Sequence, residues 1–187
     1  MCCNINDFTP HRAGQHSVFT SAENRCTHVG KNKNRHMIRQ FKVDGEVVAA
    51  GDMSPRCDYL LLNDDAKTSY YIELKGSDLV KAIEQIETTV AMIAPSIPEY
   101  AVLRRIVFRT GTHGIQTRPV LSWKRKYRRH QRAAFRGNDL IHLAKDRRTG
   151  EFKLPPGAGP AVFSKIKSPL EAHRILNGKL QVPFFLL

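Results

Sequence analysis

The chain has 187 residues, of which 41% are hydrophobic and 25% charged, enough for one folded domain with a real core and too apolar for a disordered chain. Thirty Lys and Arg against seventeen Asp and Glu leave a formal charge of +13, which disfavours a polycationic partner and favours a polyanion, nucleic acid first. Four cysteines are too few for a disulfide framework, and no apolar run reaches membrane-spanning length, so the expectation is a cytoplasmic protein with no membrane partner.

Residues 1–18 carry no periodicity and are expected as a loosely ordered arm, with no basic region and apolar run of a secretory signal. Cys2, Cys3, Cys26 and His28 follow no familiar zinc spacing, and thiols are the expectation there. Thr20-Ser21-Ala22-Glu23 has the form of a capping box, which predicts a short helix running to Gly30. Residues 37–43 read as a strand, Asp44-Gly45 as a two-residue turn and 46–50 as the return strand. Asp52, in Gly51-Asp52-Met53-Ser54-Pro55, reads as a turn residue.

Two apolar runs follow, 56–62 and 70–75, joined by the polar segment 63–69; the expectation is an antiparallel hairpin. Both faces of 56–62 are apolar, which marks a central strand covered on both sides. Asp58 lies within it, and a buried carboxylate needs a partner. In the second run Tyr71, Glu73 and Lys75 share one face, and the hairpin brings Asp58 towards both charged residues. Leu79, Ala82, Ile83, Ile86, Val90 and Ile93 recur at spacings of three and four, predicting a helix from 77 or 78 to about 94, closed by Pro95 and Pro98. The next strand, 103–110, should lie parallel to its predecessor, because a long helix joins the two.

No acid occurs between Tyr100 and Asn138, while Arg118, Lys124, Arg125, Lys126, Arg128, Arg129, Arg132 and Arg136 do, interleaved with Trp123, Tyr127, His130 and Phe135. A helix there would turn its aromatics to the core and its cations outward, where phosphates would relieve their repulsion. Residues 139–145 and 151–154 read as a last strand pair. The loop 154–160 lacks the ending of a phosphate-binding loop, Ser168-Pro169-Leu170-Glu171 opens a helix ending at Gly178, and the apolar tail 182–187 should pack on the domain or on another subunit. The expected division is an arm (1–18), a core (19–145) that includes the basic segment 118–136, and an extension (146–187).

An acid on one strand, Glu73-Leu74-Lys75 on the next, a glycine and then an amphipathic helix resemble the PD-(D/E)xK nuclease superfamily, over residues 23–110. Pro55 stands three residues before Asp58 rather than beside it. The resemblance implies an α/β (α+β) fold with a restriction-endonuclease-like αβββαβ core, shared with Holliday-junction resolvases: a central mixed sheet flanked by helices. It implies a Mg²⁺-dependent nuclease, with Mn²⁺ able to substitute, that hydrolyses phosphodiester bonds, with DNA ahead of RNA as the polymer. Asp58, Glu73 and Lys75 are then the catalytic set and Asp58 and Glu73 the metal ligands. Glu23 would be a further ligand if it does not simply cap its own helix, and Gln85 a second-tier residue if it is not a solvated flank. Lys124, Arg125, Lys126, Arg128, Arg129 and Arg132 would hold the nucleic acid, and a homodimer would serve cutting of both strands. The competing readings are an inactive nucleic-acid-binding protein on the same fold and a basic ribosome-associated protein; neither needs a metal at Asp58 and Glu73.

Overall fold

The computed structural model describes residues 3–23, 26–49, 51–75, 78–108, 117–134, 141–145 and 152–153. Its centre is the hairpin of β5 (Tyr59–Asn63) and β6 (Thr68–Lys75), antiparallel with Leu61 opposite Tyr70. Every residue of both strands is buried except Lys75 at the end of β6. β4 (Ile38–Lys42) pairs antiparallel with β5, and β1 (Arg12–Gly14) adds to the outer edge of β4. After β6 the chain crosses through helix α1 (Leu79–Ile93) and returns as β7 (Ala101–Phe108), parallel to β6. The five-stranded mixed sheet thus runs β1-β4-β5-β6-β7.

Alternation along the central strands builds two cores. Leu60, Leu62 and Tyr71 join Phe41, Ile86 and Ile93 on the α1 side. Leu61, Tyr70, Ile72 and Leu74 join Phe19 and Cys26 on the other. That other face is covered by an antiparallel sheet, β2 (Val18–Glu23), β3 (Cys26–Lys31), β8 (Ile141–Lys145) and β9 (Phe152–Lys153). The layers are helices, a five-stranded sheet and a four-stranded sheet. Helix α1 starts where the Asp78 side chain accepts from the Lys81 N–H at 3.0 Å, and its apolar stripe buries Leu79, Ala82, Ile86 and Ile93. The basic segment forms α2 (Arg118–Ala134), and Trp123 packs against the α1-side core. No helix among the described residues is long and apolar enough to cross a membrane.

Three expectations are corrected. No helix follows Thr20: β2 (Val18–Glu23) pairs antiparallel with β3 (Cys26–Lys31), with Glu23 opposite Cys26. The capping-box reading lost to a period-two alternation in which Phe19, Ser21, Cys26 and His28 are buried, and Val18, Thr20, Thr27 and Val29 suit a pleated surface. Of the return strand expected at 46–50, the described residues 46–49 form none; a tight turn spans 43–47, with Gly45 at φ +97°, and a single bridge among the described residues there joins Asp44 to Val48. The stretch 3–18 is no loose arm, since Ile5 is fully buried, the Cys3 N–H donates to the Met92 carbonyl at 3.0 Å, and Arg12–Gly14 is a sheet strand. The capping box at Ser168, the helix to Gly178 and the apolar tail lie outside the described residues.

Candidate active site

The ladder between β5 and β6 ends at Tyr59 and Ile72, so the next residues outward, Asp58 and Glu73, face one another beyond it. There the Leu74 N–H, without a β5 carbonyl to meet, donates to Asp58 Oδ2 at 2.6 Å. The Asp58 side chain continues the ladder by other means. Glu73 shares the α1 face with Tyr71, and it is 1% exposed. Lys75, two residues on, sends Nζ to Glu73 Oε1 at 3.4 Å and to Gln85 Oε1 at 2.6 Å. Gln85 in turn donates Nε2 to the Arg56 carbonyl at 2.8 Å. One turn further along α1, the Thr89 hydroxyl donates to the Gln85 carbonyl and accepts the Cys57 N–H, both at 2.8 Å. The helix therefore holds Lys75 and the segment leading into Asp58 together. Gln85 is thus bonded to Lys75 and to the Arg56 backbone and does not lie on a solvated flank.

Glu23 reaches the same place on a strand rather than on a helix. Gln40 Nε2 donates to the Thr20 carbonyl at 2.9 Å and to Ser21 Oγ at 3.0 Å, and the Tyr59 hydroxyl donates to the Ala22 carbonyl at 3.3 Å. These bonds lay the end of β2 over the end of β5. Carboxylate oxygens of Glu23, Asp58 and Asp44 then lie within 4.8 Å of one another. Asp44 was missed by sequence reading, because an acid before a glycine reads as a turn residue. The Val43 N–H donates to the Asp58 carbonyl at 2.8 Å, so Asp44 is one step beyond the residue facing Asp58. That placement follows from the β4–β5 register, which no local sequence signal records. Asp52 is the turn residue it was expected to be, accepting the Ser54 N–H at 2.7 Å.

Convergent acids make ionisation costly. At an effective dielectric of ~20, two full charges about 5 Å apart repel by roughly 3 kcal/mol. Burial first, and the neighbouring Glu73 second, push Asp58 up from 3.8 to about 8. Burial raises Glu73 to about 7, against the opposing pull of Lys75. Both values lie at working pH, where a proton or a cation can occupy the site. Glu23 Oε2 and Glu73 Oε2 are buried with no hydrogen-bond partner. Several carboxylate oxygens, two of them wanting a partner, and no soft ligand among them suit a hard divalent cation such as Mg²⁺.

No family model, curated protein or solved structure matches the chain.

The basic helix is anchored by one acid. Glu87 Oε1 accepts from Arg104 Nε at 2.7 Å and Trp123 Nε1 at 2.8 Å, and Oε2 accepts from the Tyr127 hydroxyl at 2.9 Å. The Arg104 guanidinium also lies 3.8 Å from the centre of the Tyr127 ring. Val120, Trp123 and Tyr127 thus form the seated face, while Arg118, Lys124, Arg125 and Lys126 are exposed. Arg128, Arg129 and Arg132 continue the same helix.

Proposed function

We propose that the chain is a divalent-metal-dependent nuclease with a restriction-endonuclease-like core, acting on the phosphodiester backbone of DNA in preference to RNA. The observation that carries this reading is the pairing of Asp58 with Glu73 at the open end of the β5–β6 ladder, with Lys75 Nζ held between Glu73 and Gln85. The order of three antiparallel strands, a crossover helix and a parallel strand supports it. A β-hairpin bearing Glu23 stands where the superfamily pattern has a helix.

Asp58, Glu73 and Glu23 would hold Mg²⁺ or Mn²⁺, which supplies an acidified water and neutralises phosphate charge. Lys75, hydrogen-bonded to Gln85, would orient the attacking water or contact a phosphate oxygen. The exposed cations of α2 bind the backbone without reading its sequence. An inactive binder of the same fold has no use for a carboxylate pair with its lysine, and a surface ion pair would not bury Glu73.

The test is cleavage of single-stranded, duplex and branched DNA and RNA with Mg²⁺ or Mn²⁺, comparing the native protein with Asp58→Asn and Lys75→Ala. Metal-dependent cutting should fall by about 100-fold or more in both variants, with the fold retained by circular dichroism. Salt-sensitive binding with no cutting of any substrate would replace the nuclease with the inactive binder.

A further inference from the structure

The turn after β4 holds an acid that the nuclease motif does not call for. Asp44 is fixed in place despite being half exposed. Gly45 N–H donates to the Val48 carbonyl and Val48 N–H to the Val43 carbonyl, each at 2.9 Å, and the positive φ of Gly45 lets the turn close. Arg56 then holds the side chain, with Nε and Nη2 both 2.8 Å from Asp44 Oδ1. Arg56 is itself buried, and its Nη1 donates to the Asp52 and Ser54 carbonyls. Both guanidinium contacts fall on one carboxylate oxygen, which leaves Oδ2 to another partner.

Three acids held this close repel unless something cationic joins them. A second observation points to a ligand: Glu73, 1% exposed, keeps Oε2 without a partner, and its charge bears on both Asp58 and Glu23. Glu23 Oε2 is also buried and without a partner. Once all four acids are ionised they carry four negative charges, against two positive ones from Lys75 and Arg56. One divalent cation closes the balance.

We propose that Asp44 is a ligand of a divalent metal ion shared with Glu23 and Asp58, and that Arg56 positions it. This rests on the metal-dependent reading above and extends the ligand set to a carboxylate on the β4 turn. The ion class is Mg²⁺ or Mn²⁺, since every donor is a carboxylate oxygen. Arg56 is a positioning residue: it touches Asp44 and the 52–54 backbone, not the ion.

Mn²⁺ titration of the full chain, followed by the electron paramagnetic resonance signal of unbound Mn²⁺, tests this without any substrate. Asp44→Asn should weaken binding by about 10-fold or more, and Asp44→Ser, which suits the same turn, by a similar factor. Asp52→Asn, a neighbouring acid outside the cluster, should leave binding unchanged. Arg56→Gln separates positioning from electrostatics by sign. Removing a nearby positive charge would by itself tighten cation binding, whereas losing the hold on Asp44 weakens it; weakening is expected. Native-like affinity in a folded Asp44→Asn or Asp44→Ser protein overturns the ligand assignment and leaves Asp58, Glu73 and Glu23 as the site. Tighter binding by Arg56→Gln overturns the positioning role. A native protein that binds no Mn²⁺ overturns the metal-dependent nuclease itself.

Discussion

Asp58→Asn should stabilise the metal-free protein, and more so as pH rises. Asp58 is 5% exposed, and its carboxyl is raised from 3.8 to about 8 by burial and by Glu73. Between those values the folded chain retains a proton that the unfolded chain has released. Stability therefore falls as pH rises from the unfolded value through about 8. Each unit of elevation corresponds to about 1.4 kcal/mol. After relaxation and water entry, the penalty at about pH 8 is on the order of 2 kcal/mol or more, and it vanishes below about pH 4. Asparagine is nearly isosteric, and its carbonyl oxygen can still accept the Leu74 N–H that Asp58 Oδ2 takes at 2.6 Å. The substitution removes the charge without removing the ladder's end.

Urea unfolding with chelator present, at about pH 5 and about pH 8, measures this. The expected gain is on the order of 2 kcal/mol at the higher pH and about 1 kcal/mol or less at the lower. If the proposed metal site is right, saturating Mn²⁺ should reverse the ranking, because it would bind the ionised native cluster and not the unfolded chain. An Asp58→Asn protein equally stable or less stable than native at both pH values, without metal, would refute the reasoning. Asp58 would then be an ordinary hydrogen-bonded carboxylate.

Glu87→Ala removes the acceptor shared by Arg104, Trp123 and Tyr127 and leaves the largely buried Arg104 without its carboxylate. A loss of about 2 kcal/mol is expected, scaled down from fully buried pairs because Glu87 is partly exposed, with a red shift of Trp123 fluorescence. Unchanged fluorescence would mean that packing alone seats α2. Replacing Lys124, Arg125 and Lys126 together by Ala should lower the slope of log affinity against log salt for duplex DNA by roughly 2 to 3. Filter binding across a salt series measures it, and an unchanged slope would refute the proposed role of these cations in nucleic-acid binding.

Legibility followed the range of the forces involved. The hairpin of β5 and β6, helix α1 and the parallel return to β7 were readable because apolar periodicity and turn residues act within a few positions. Asp58, Glu73 and Lys75 were readable for the same reason: strand alternation and one short turn bring them together. Residues 18–31 were not, since a capping-box signature and a strand alternation coexist there. A sheet partner on each side of β3 decided between them. The β2–β3 hairpin is half of a cover for the second core, and no local preference records what a segment will cover.

By itself, the sequence determined the acid pair with its lysine, the helix that backs it, and a cationic segment free of acids, all properties of contiguous residues and their period. Only the tertiary structure decided that Glu23 reaches the pair from a strand, that Gln85 holds Lys75, and that Asp44 joins the cluster from a turn. It also decided that Glu87 seats the basic helix. Each of these joins residues distant in sequence, and such contacts exist only once two sheets and a helix layer have buried their apolar faces against one another.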